Sequence, residues 1–220
     1  MPTTSVTAVV INFQTPDLTR RAVASLRRWY PELPLLLIDN GSADESPSVL
    51  RALAGASPAL TTLLCNPRNL HHGPAMDQAM RHLLSDELFF LDSDCVIIAG
   101  GILERLHDAL HDSDRTYAAG KRIFLNSRGF DVAPGPRAHP YIRPICMLIR
   151  RREYLALPPF RRHGAPCLDN MRAAITAGFQ LAHVPVDHYV QHEGRGTAGR
   201  FGYHLGWKGK LNHLLNRLGV

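Results

Sequence analysis

Short apolar runs alternate along the first half of the chain with segments whose apolar positions recur at helical spacing. The runs are continuous rather than alternating, which is typical of strands buried on both faces. Predicted strands cover 6–13, 35–38, 60–64 and 88–91, and predicted helices cover 16–30, 46–53 and 73–84. Regular alternation of strand and helix predicts an α/β fold, with a mostly parallel sheet joined by right-handed crossovers and flanked by helices.

The second half has a looser, mixed pattern. Helices are predicted over 101–111 and 168–177, and strands over 120–125, 142–149 and 179–186. Gly- and Pro-rich loops are predicted at 132–140 and 158–167. The chain has no internal repeat or flexible linker, so we expect one domain over 1–220, with boundaries between its parts near 98 and 200.

Composition and charge narrow the choice of partner. The chain is 45% hydrophobic and 20% charged, as in an ordinary globular protein, and its formal net charge is +6. That charge suits an anionic partner: nucleic acid, a nucleotide diphosphate or an anionic membrane surface. The arginine runs at 20–21, 27–28, 150–152 and 161–162 lack interleaved aromatic residues. They are therefore interpreted as solvated faces, and nucleic acid is excluded.

The cysteines and the apolar runs indicate in which cellular compartment the protein is found. Cys65, Cys95, Cys146 and Cys167 are widely separated and form no Cys-x-x-Cys pair. They predict buried free thiols in a reducing compartment, and disfavour zinc. The first residues lack the pattern of a signal peptide, and no apolar run approaches the roughly 18 residues that span a bilayer. We therefore expect a cytoplasmic protein.

Polar side chains end three of the predicted strands. Asn12, Asp39 and Asp92 stand at these positions, and ligands of parallel sheets bind beyond the carboxyl ends of strands. Asp92 opens the tripeptide Asp92-Ser93-Asp94, whose two carboxylates point the same way if the backbone is extended. Paired carboxylates suit Mg²⁺ or Mn²⁺, and such an ion bridges phosphate oxygens.

Four segments together resemble the nucleotide-binding half of a family 2 glycosyltransferase with a GT-A fold. They are VVINFQTPDLTRRAVASL, LLIDNGSADES, NPRNLHHGPAMDQAM and FFLDSD. The resemblance implies a Rossmann-like nucleotide-sugar-binding half at 1–98 and a smaller mixed acceptor half at 99–200. It also implies a Mn²⁺ or Mg²⁺ cofactor and a nucleoside diphosphate sugar donor, of UDP or dTDP type.

The resemblance also implies roles for single residues of the first half. Asp39 would accept from the ring N–H of a pyrimidine, and Asp94 would ligate the metal, with Asp92 at the ribose or at the metal. The remaining nucleotide-binding residues implied are Phe13, Thr15, Asp44, Asn69, Gly73 and Ser93. Two plainer interpretations stay open: Asp39 forming an Asx-type turn, and Gly73 allowing close backbone approach at a helix start.

In the second half the segment LDNMRAAITAG resembles the acceptor-side helix of the family, which places the catalytic base at Asp169. The Glu-Asp pair that usually precedes it is replaced by Pro166 and Cys167. Asp131 and Glu153 are alternative bases. Asp169 as the N-cap of the following helix is the plainer interpretation.

The resemblance implies further that a histidine after the last core strand completes the metal shell. His192 fits that place, with His188 as the alternative. Arg195 and Arg200 lie in a Gly-rich segment suited to a lid on the diphosphate. His71 and His72 are interpreted as loop residues near the pocket.

These features and the resemblance predict a metal-dependent transfer of a sugar from a nucleoside diphosphate sugar to an acceptor hydroxyl. The resemblance implies that the transfer is inverting. The acceptor is a glycan, a lipid-linked molecule or a small molecule. An amphipathic helix is predicted over 201–220, and we expect it to pack back on the domain, to dock on the inner face of the membrane or to form a homodimer contact. Alternative functions are a non-catalytic sugar-nucleotide- or glycan-binding protein and a sugar nucleotidyltransferase.

Overall fold

The computed structural model describes residues 5–162 and 164–193. Its strands are β1 (Val6–Asn12), β2 (Leu35–Asp39), β3 (Thr61–Cys65), β4 (Glu87–Leu91), β5 (Cys95–Ile97), β6 (Thr116–Leu125), β7 (His139–Arg150), β8 (Gln180–His183) and β9 (Val190–His192). Its α-helices are α1 (Pro16–Trp29), α2 (Ser46–Ala56), α3 (His72–His82), α4 (Ile102–His111), α5 (Arg151–Leu155) and α6 (Leu168–Thr176). A 3₁₀ turn at Val186–His188 precedes β9.

In the described part of the chain, one seven-stranded sheet has the order β3-β2-β1-β4-β7-β6-β8. β1 pairs in parallel with β2 and with β4, and β2 pairs in parallel with β3. β7 is antiparallel to both of its neighbours, β4 and β6, whereas β8 is parallel to β6. Strands from both halves therefore share one sheet, and β5 and β9 form a separate antiparallel pair.

The sheet has an apolar core on each face. Leu88 and Phe90 of β4 pack into one core, and Phe89 and Leu91 pack into the other. Residues of α3, α5 and α6 complete the first core, and residues of α1, α2 and α4 complete the second. Burial on both faces explains why this strand reads as a continuous apolar run.

The predicted fold class is confirmed: the sheet is mostly parallel, flanked by helices, and joined by a small antiparallel pair. The strand predicted over 179–186 ends instead at His183, because Pro185 has no N–H with which to continue a ladder. β6 starts at Thr116, earlier than predicted. β5, α5 and β9 were not predicted, since each has only three to five residues.

The thiol prediction is confirmed for three cysteines. Cys95, Cys146 and Cys167 are buried and free. Cys65 is exposed, so the prediction of burial was wrong there. It ends β3, which is one of the two edge strands of the sheet, and edge strands keep part of their surface in water.

The interpretation of the arginine runs as solvated faces is wrong for four residues. Backbone carbonyl oxygens elsewhere in the chain accept from Arg27, Arg150, Arg151 and Arg162, at 2.5, 2.9, 2.9 and 3.3 Å. Arg20 and Arg28 are exposed, as that interpretation requires.

Helices in the described ranges are all too short or too polar to cross a bilayer. The amphipathic helix predicted over 201–220 lies outside these ranges, as do Arg195 and Arg200. Their assignments stay predictions.

Candidate active site

The carboxyl ends of β1, β2 and β4 meet at one edge of the sheet, and their polar residues contact each other. Asn12 and Asp39 are paired across β1 and β2 and are buried. Asn12 Nδ2 donates to Asp39 Oδ1 at 3.0 Å. Asn12 Oδ1 accepts from the hydroxyls of Thr19 at 2.8 Å and Thr15 at 3.3 Å. The sequence marked Asn12 as a strand end, and the structure makes it the centre of this buried network.

The network continues to the residues that follow β4. Thr15 is buried just before α1, and its hydroxyl oxygen lies 3.4 Å from that of Ser93. A hydroxyl–hydroxyl hydrogen bond at that distance is long and therefore weak. Two of the predicted nucleotide-binding residues are thereby brought together from β1 and β4.

A tight turn follows β2 and holds the Asp39 carboxylate. Ser42 N–H donates to Asp39 Oδ2 at 3.2 Å, and Gln14 N–H donates to Ser42 Oγ at 2.9 Å. Gly41 has φ +77°, and a Cβ there would lie 2.2 Å from the carbonyl carbon of Arg68. Only glycine fits this turn. Asp39 thus accepts from the backbone three residues on, whereas an Asx turn bonds two residues on, and this turn lies within the site.

Asn69 and Asp44 shape the rim of this edge. Asn69 Oδ1 accepts from Asn40 Nδ2 at 3.1 Å and from His71 N–H at 2.7 Å, which orders the loop before α3. Asp44 is exposed, and its Oδ1 accepts from Ser46 N–H at 3.0 Å at the start of α2. Asp44 thus has a local role in the backbone turn.

Asp92 lies against His72, the first residue of α3. Its Oδ1 is 3.6 Å from His72 Nε2. Burial, and then the neighbouring Asp94, raise the pKa of Asp92 to about 8, whereas burial lowers the pKa of His72 to about 4. At neutral pH His72 is uncharged and most of Asp92 is protonated. His72, which the sequence assigned to a loop, is a further residue of this site.

Asp94 lies against His192 because β5 and β9 pair. Cys95 is opposite His192 in the ladder, and the Asp94 carbonyl accepts from Glu193 N–H at 2.8 Å. His192 Nε2 lies 3.3 Å from Asp94 Oδ2. The hydrogen bond with Asp94 raises the pKa of His192. Glu193 in turn binds Arg21 of α1 at 2.5 Å, which fixes the end of β9.

This pairing can hold a divalent cation. Ligand atoms of Asp94, Cys95 and His192 all lie within 4.8 Å of one another. Burial raises the pKa of the Cys95 thiol far above its usual value, so it stays protonated and ligates a hard ion poorly. A carboxylate oxygen and an imidazole nitrogen remain, and these suit Mn²⁺. His188, the alternative, is exposed on the 3₁₀ turn and belongs to no such group among the described residues.

Asp169 lies in the first turn of α6 and binds Arg162 through both of its oxygens, at 2.8 and 2.9 Å. The N-cap of α6 is Cys167, so the interpretation of Asp169 as N-cap is wrong. Arg162 also bonds the loop to α3, since its carbonyl accepts from Gly73 N–H at 3.2 Å. A Cβ on Gly73 would lie 2.4 Å from that oxygen, which confirms the close backbone approach there.

The alternative bases have different surroundings. Asp131 is exposed and forms an ion pair with Arg143. Glu153 lies in the first turn of the short helix α5, next to Tyr154, which is buried in the core. Neither is joined to the strand-end network by a hydrogen bond between described residues, whereas Asp169 is joined through Arg162 and the start of α3.

Strands β1 to β4, with Asn12, Asp39 and Asp92 at the carboxyl ends of β1, β2 and β4, have the arrangement of the nucleotide-binding half of a GT-A fold. The chain belongs to glycosyl transferase family 2, whose family model matches residues 7–169. It is also similar to undecaprenyl-phosphate 4-deoxy-4-formamido-L-arabinose transferase of Sodalis glossinidius (strain morsitans), at 33% identity over 79 residues. That match covers 36% of this chain and 24% of the relative. The family predicted from the sequence is confirmed.

Solved structures agree on the fold. A mannosyltransferase, PcManGT from Pyrobaculum calidifontis in complex with GDP-Man and Mn²⁺, matches with a TM-score of 0.65 at 19% identity, over 84% of this chain and 56% of that one. GalNAc-T7 with UDP, GalNAc and Mn²⁺ matches with a TM-score of 0.69 at 16% identity, over 86% of this chain and 44% of that one. The chain thus spans about half the length of these two proteins.

Proposed function

We propose that the protein transfers a glycosyl group from a nucleoside diphosphate sugar to an acceptor hydroxyl, with a divalent cation at the carboxyl edge of β4. The observation that carries this is the contact between Asp94 and His192, with Asp92 two residues away at the end of β4. Membership of glycosyl transferase family 2 supports the proposal. A fold alone does not indicate a reaction, so the residues of the site have to carry the proposal.

Asp94 and His192 would hold the cation, with Asp92 at its side. When bound, Mn²⁺ or Mg²⁺ supplies positive charge for the diphosphate as it leaves. The protein contributes the rigid placement of these side chains, which rests on the β5–β9 ladder and on the Arg21–Glu193 ion pair. Arg195 and Arg200 remain our proposal for further neutralisation of the diphosphate.

The buried network around Asp39 is our proposed site for the nucleotide base. Each Asp39 oxygen already accepts one hydrogen bond, from Asn12 or from Ser42. A carboxylate oxygen has two lone pairs, so Asp39 retains acceptor capacity for the ring N–H of a pyrimidine. This favours UDP or dTDP donors. The solved relatives carry UDP in one case and GDP-Man in the other, so the base needs a direct test.

Asp169 is our proposed general base. The acceptor oxygen would form a bond to the anomeric carbon while the bond to the diphosphate breaks, and the acceptor proton would pass to Asp169. A single displacement of this kind inverts the anomeric centre. Arg162 would then have to move from both oxygens of Asp169, or share one of them, when an acceptor binds.

The acceptor is proposed as a glycan, a lipid-linked molecule or a small molecule. The name of the curated relative includes undecaprenyl phosphate, which supports the lipid-linked class. A cytoplasmic protein at the inner face of the membrane is the corresponding location. Binding to vesicles that contain an undecaprenyl phosphate would support this choice, and transfer to soluble acceptors alone would contradict it.

The experiment is hydrolysis or transfer from a panel of UDP-, dTDP- and GDP-sugars with Mn²⁺. We expect turnover with wild-type protein, and loss of turnover with EDTA or Asp94→Ala. Asp114→Ala is the matched control, because Asp114 is exposed and far along the chain from the strand ends. Turnover that survives both EDTA and Asp94→Ala would contradict the metal assignment.

One observation favours a second function, nucleotide-sugar binding without catalysis. Asp169 is held by Arg162, and the residues that precede it are Pro166 and Cys167 in place of acids. Asp169→Asn separates the two functions. If Asp169 is the base, the variant keeps donor binding and loses transfer. Nucleotide binding by wild-type protein without turnover, across a broad acceptor panel, would favour the binding protein.

A further inference from the structure

A cluster of imidazole and carboxylate side chains lies at the opposite end of β4 from the candidate active site. Glu87 is the first residue of the strand, and Asp92 follows the last, so about 16 Å of extended chain separates them. His107 and His111 are four residues apart on α4 and share the helix face that packs against this end. Neither histidine has a role in the proposed transfer.

The three side chains contact each other. Glu87 is 2% exposed, and its Oε1 lies 2.5 Å from His111 Nε2. Its Oε2 is buried and has no hydrogen-bond partner in the described part of the chain. The rings of His107 and His111 stack with centroids 4.2 Å apart. An unpartnered oxygen on a buried carboxylate is costly, so a ligand that occupies it is expected to stabilise the fold.

The surrounding charge favours a cation in spite of one arginine. His111 is the last residue of α4, where the helix dipole favours positive charge. Arg150 lies opposite Glu87 in the β4–β7 ladder, but its Nη2 donates to the carbonyls of Leu110 and Ser113. No ion pair joins Arg150 to Glu87 between described residues, so the carboxylate still lacks a full counter-charge on that side.

We propose that Glu87, His107 and His111 form a second metal site, which takes a borderline transition metal such as Zn²⁺. Their ligand atoms all lie within 4.8 Å of one another. Two imidazoles and one carboxylate, with water in the fourth position, suit Zn²⁺ and disfavour Mg²⁺. His111 keeps 34% of its side chain exposed, so an ion can enter from solvent and the rings can rotate inward.

Such an ion would join α4 to β4, and its effect would be on stability. The rival account is a plain structural ion pair between His111 and Glu87, with His107 stacked beside it. The two accounts differ at His107. Removing that ring leaves the His111–Glu87 contact intact and removes one metal ligand.

The test is Zn²⁺ titration of the metal-free protein by calorimetry, in a background with Asp94→Ala and His192→Ala that disables the first site. We expect one Zn²⁺ per chain and a rise in melting temperature with Zn²⁺. His107→Ala should weaken binding more than about tenfold, because even an outer-shell partner contributes that much. Co²⁺ should give the visible absorption of a low-coordinate ion, and His107→Ala should abolish it.

His82→Ala is the matched control, because His82 is exposed on α3. It should leave Zn²⁺ affinity and the melting temperature unchanged. The titration is repeated with the first site intact. There, the His107→Ala variant should bind one Zn²⁺ fewer per chain than the wild-type protein. Unchanged Zn²⁺ binding in His107→Ala, or no binding in the parent proteins, would overturn the proposal and leave the plain ion pair.

Discussion

Binding of Mn²⁺ at the edge of β4 should release protons and weaken as the pH falls. In the metal-free protein the pKa of Asp92 is raised to about 8 by burial and by Asp94. The pKa of His192 is also raised, by its hydrogen bond to Asp94. A cation requires the ionised carboxylate and the neutral imidazole. Both groups must therefore lose a proton that they hold at lower pH.

The magnitude follows from the pKa of Asp92. At pH 7 only about one such carboxyl in eleven is ionised, which costs about 1.4 kcal/mol of binding free energy. Between pH 7 and pH 6 the dissociation constant of Mn²⁺ should rise about tenfold from Asp92 alone. His192 adds to this slope wherever the pH lies below its raised pKa.

Calorimetry in buffers of different ionisation enthalpy measures the protons released. We expect about one proton from Asp92 at pH 7, plus a fraction from His192. Asp92→Asn should remove the larger part and flatten the pH dependence, and His192→Gln should remove the remainder. Asp114→Asn serves as the exposed control. Two results together would refute this reasoning: proton release near zero, and an affinity for Mn²⁺ that does not change between pH 6 and pH 8.

Two further predictions concern the backbone and the buried network. Gly73→Ala should lower the free energy of unfolding, measured in urea, by about 1–3 kcal/mol and weaken donor binding. The reason is that the new Cβ would lie 2.4 Å from the carbonyl oxygen of Arg162. Unchanged stability would show that the loop moves freely. Asn12→Ala should cost about 2–3 kcal/mol, because Asp39 Oδ1 and the Thr19 hydroxyl each lose the buried amide that they bond. Stability in urea equal to that of the wild type would contradict the central place given to this amide.

The sequence was sufficient to predict those parts of the fold and of the site that depend on the local pattern of apolar and polar residues. β1, β2 and β4 are buried on both faces, so their apolar runs stand out, and a polar residue at the end of each run marks the edge of the sheet. Asn12 and Asp39 were predicted at that edge and are paired there. Asp94 and His192 were predicted as a pair from the family resemblance, and their side chains lie 3.3 Å apart.

What the sequence did not predict depends on contacts between distant residues. The β5–β9 ladder has three residue pairs and brings together positions almost a hundred residues apart, so neither short strand has a periodic signal. His72 reads as one of two adjacent histidines in a loop, and only the start of α3 turns it toward Asp92. The ion pair of Asp169 with Arg162 likewise depends on how the loop before α6 folds back.

The central claim is that Asp94 and His192 bind a divalent cation, and that this cation binds the diphosphate of the nucleotide. Pulsed electron paramagnetic resonance of bound Mn²⁺ tests it directly. We predict nitrogen modulation from one imidazole that is absent in His192→Gln, and phosphorus coupling that appears when UDP is added and is lost in Asp94→Asn. Nitrogen coupling that persists in His192→Gln, or UDP that binds without coupling to Mn²⁺, would contradict the account.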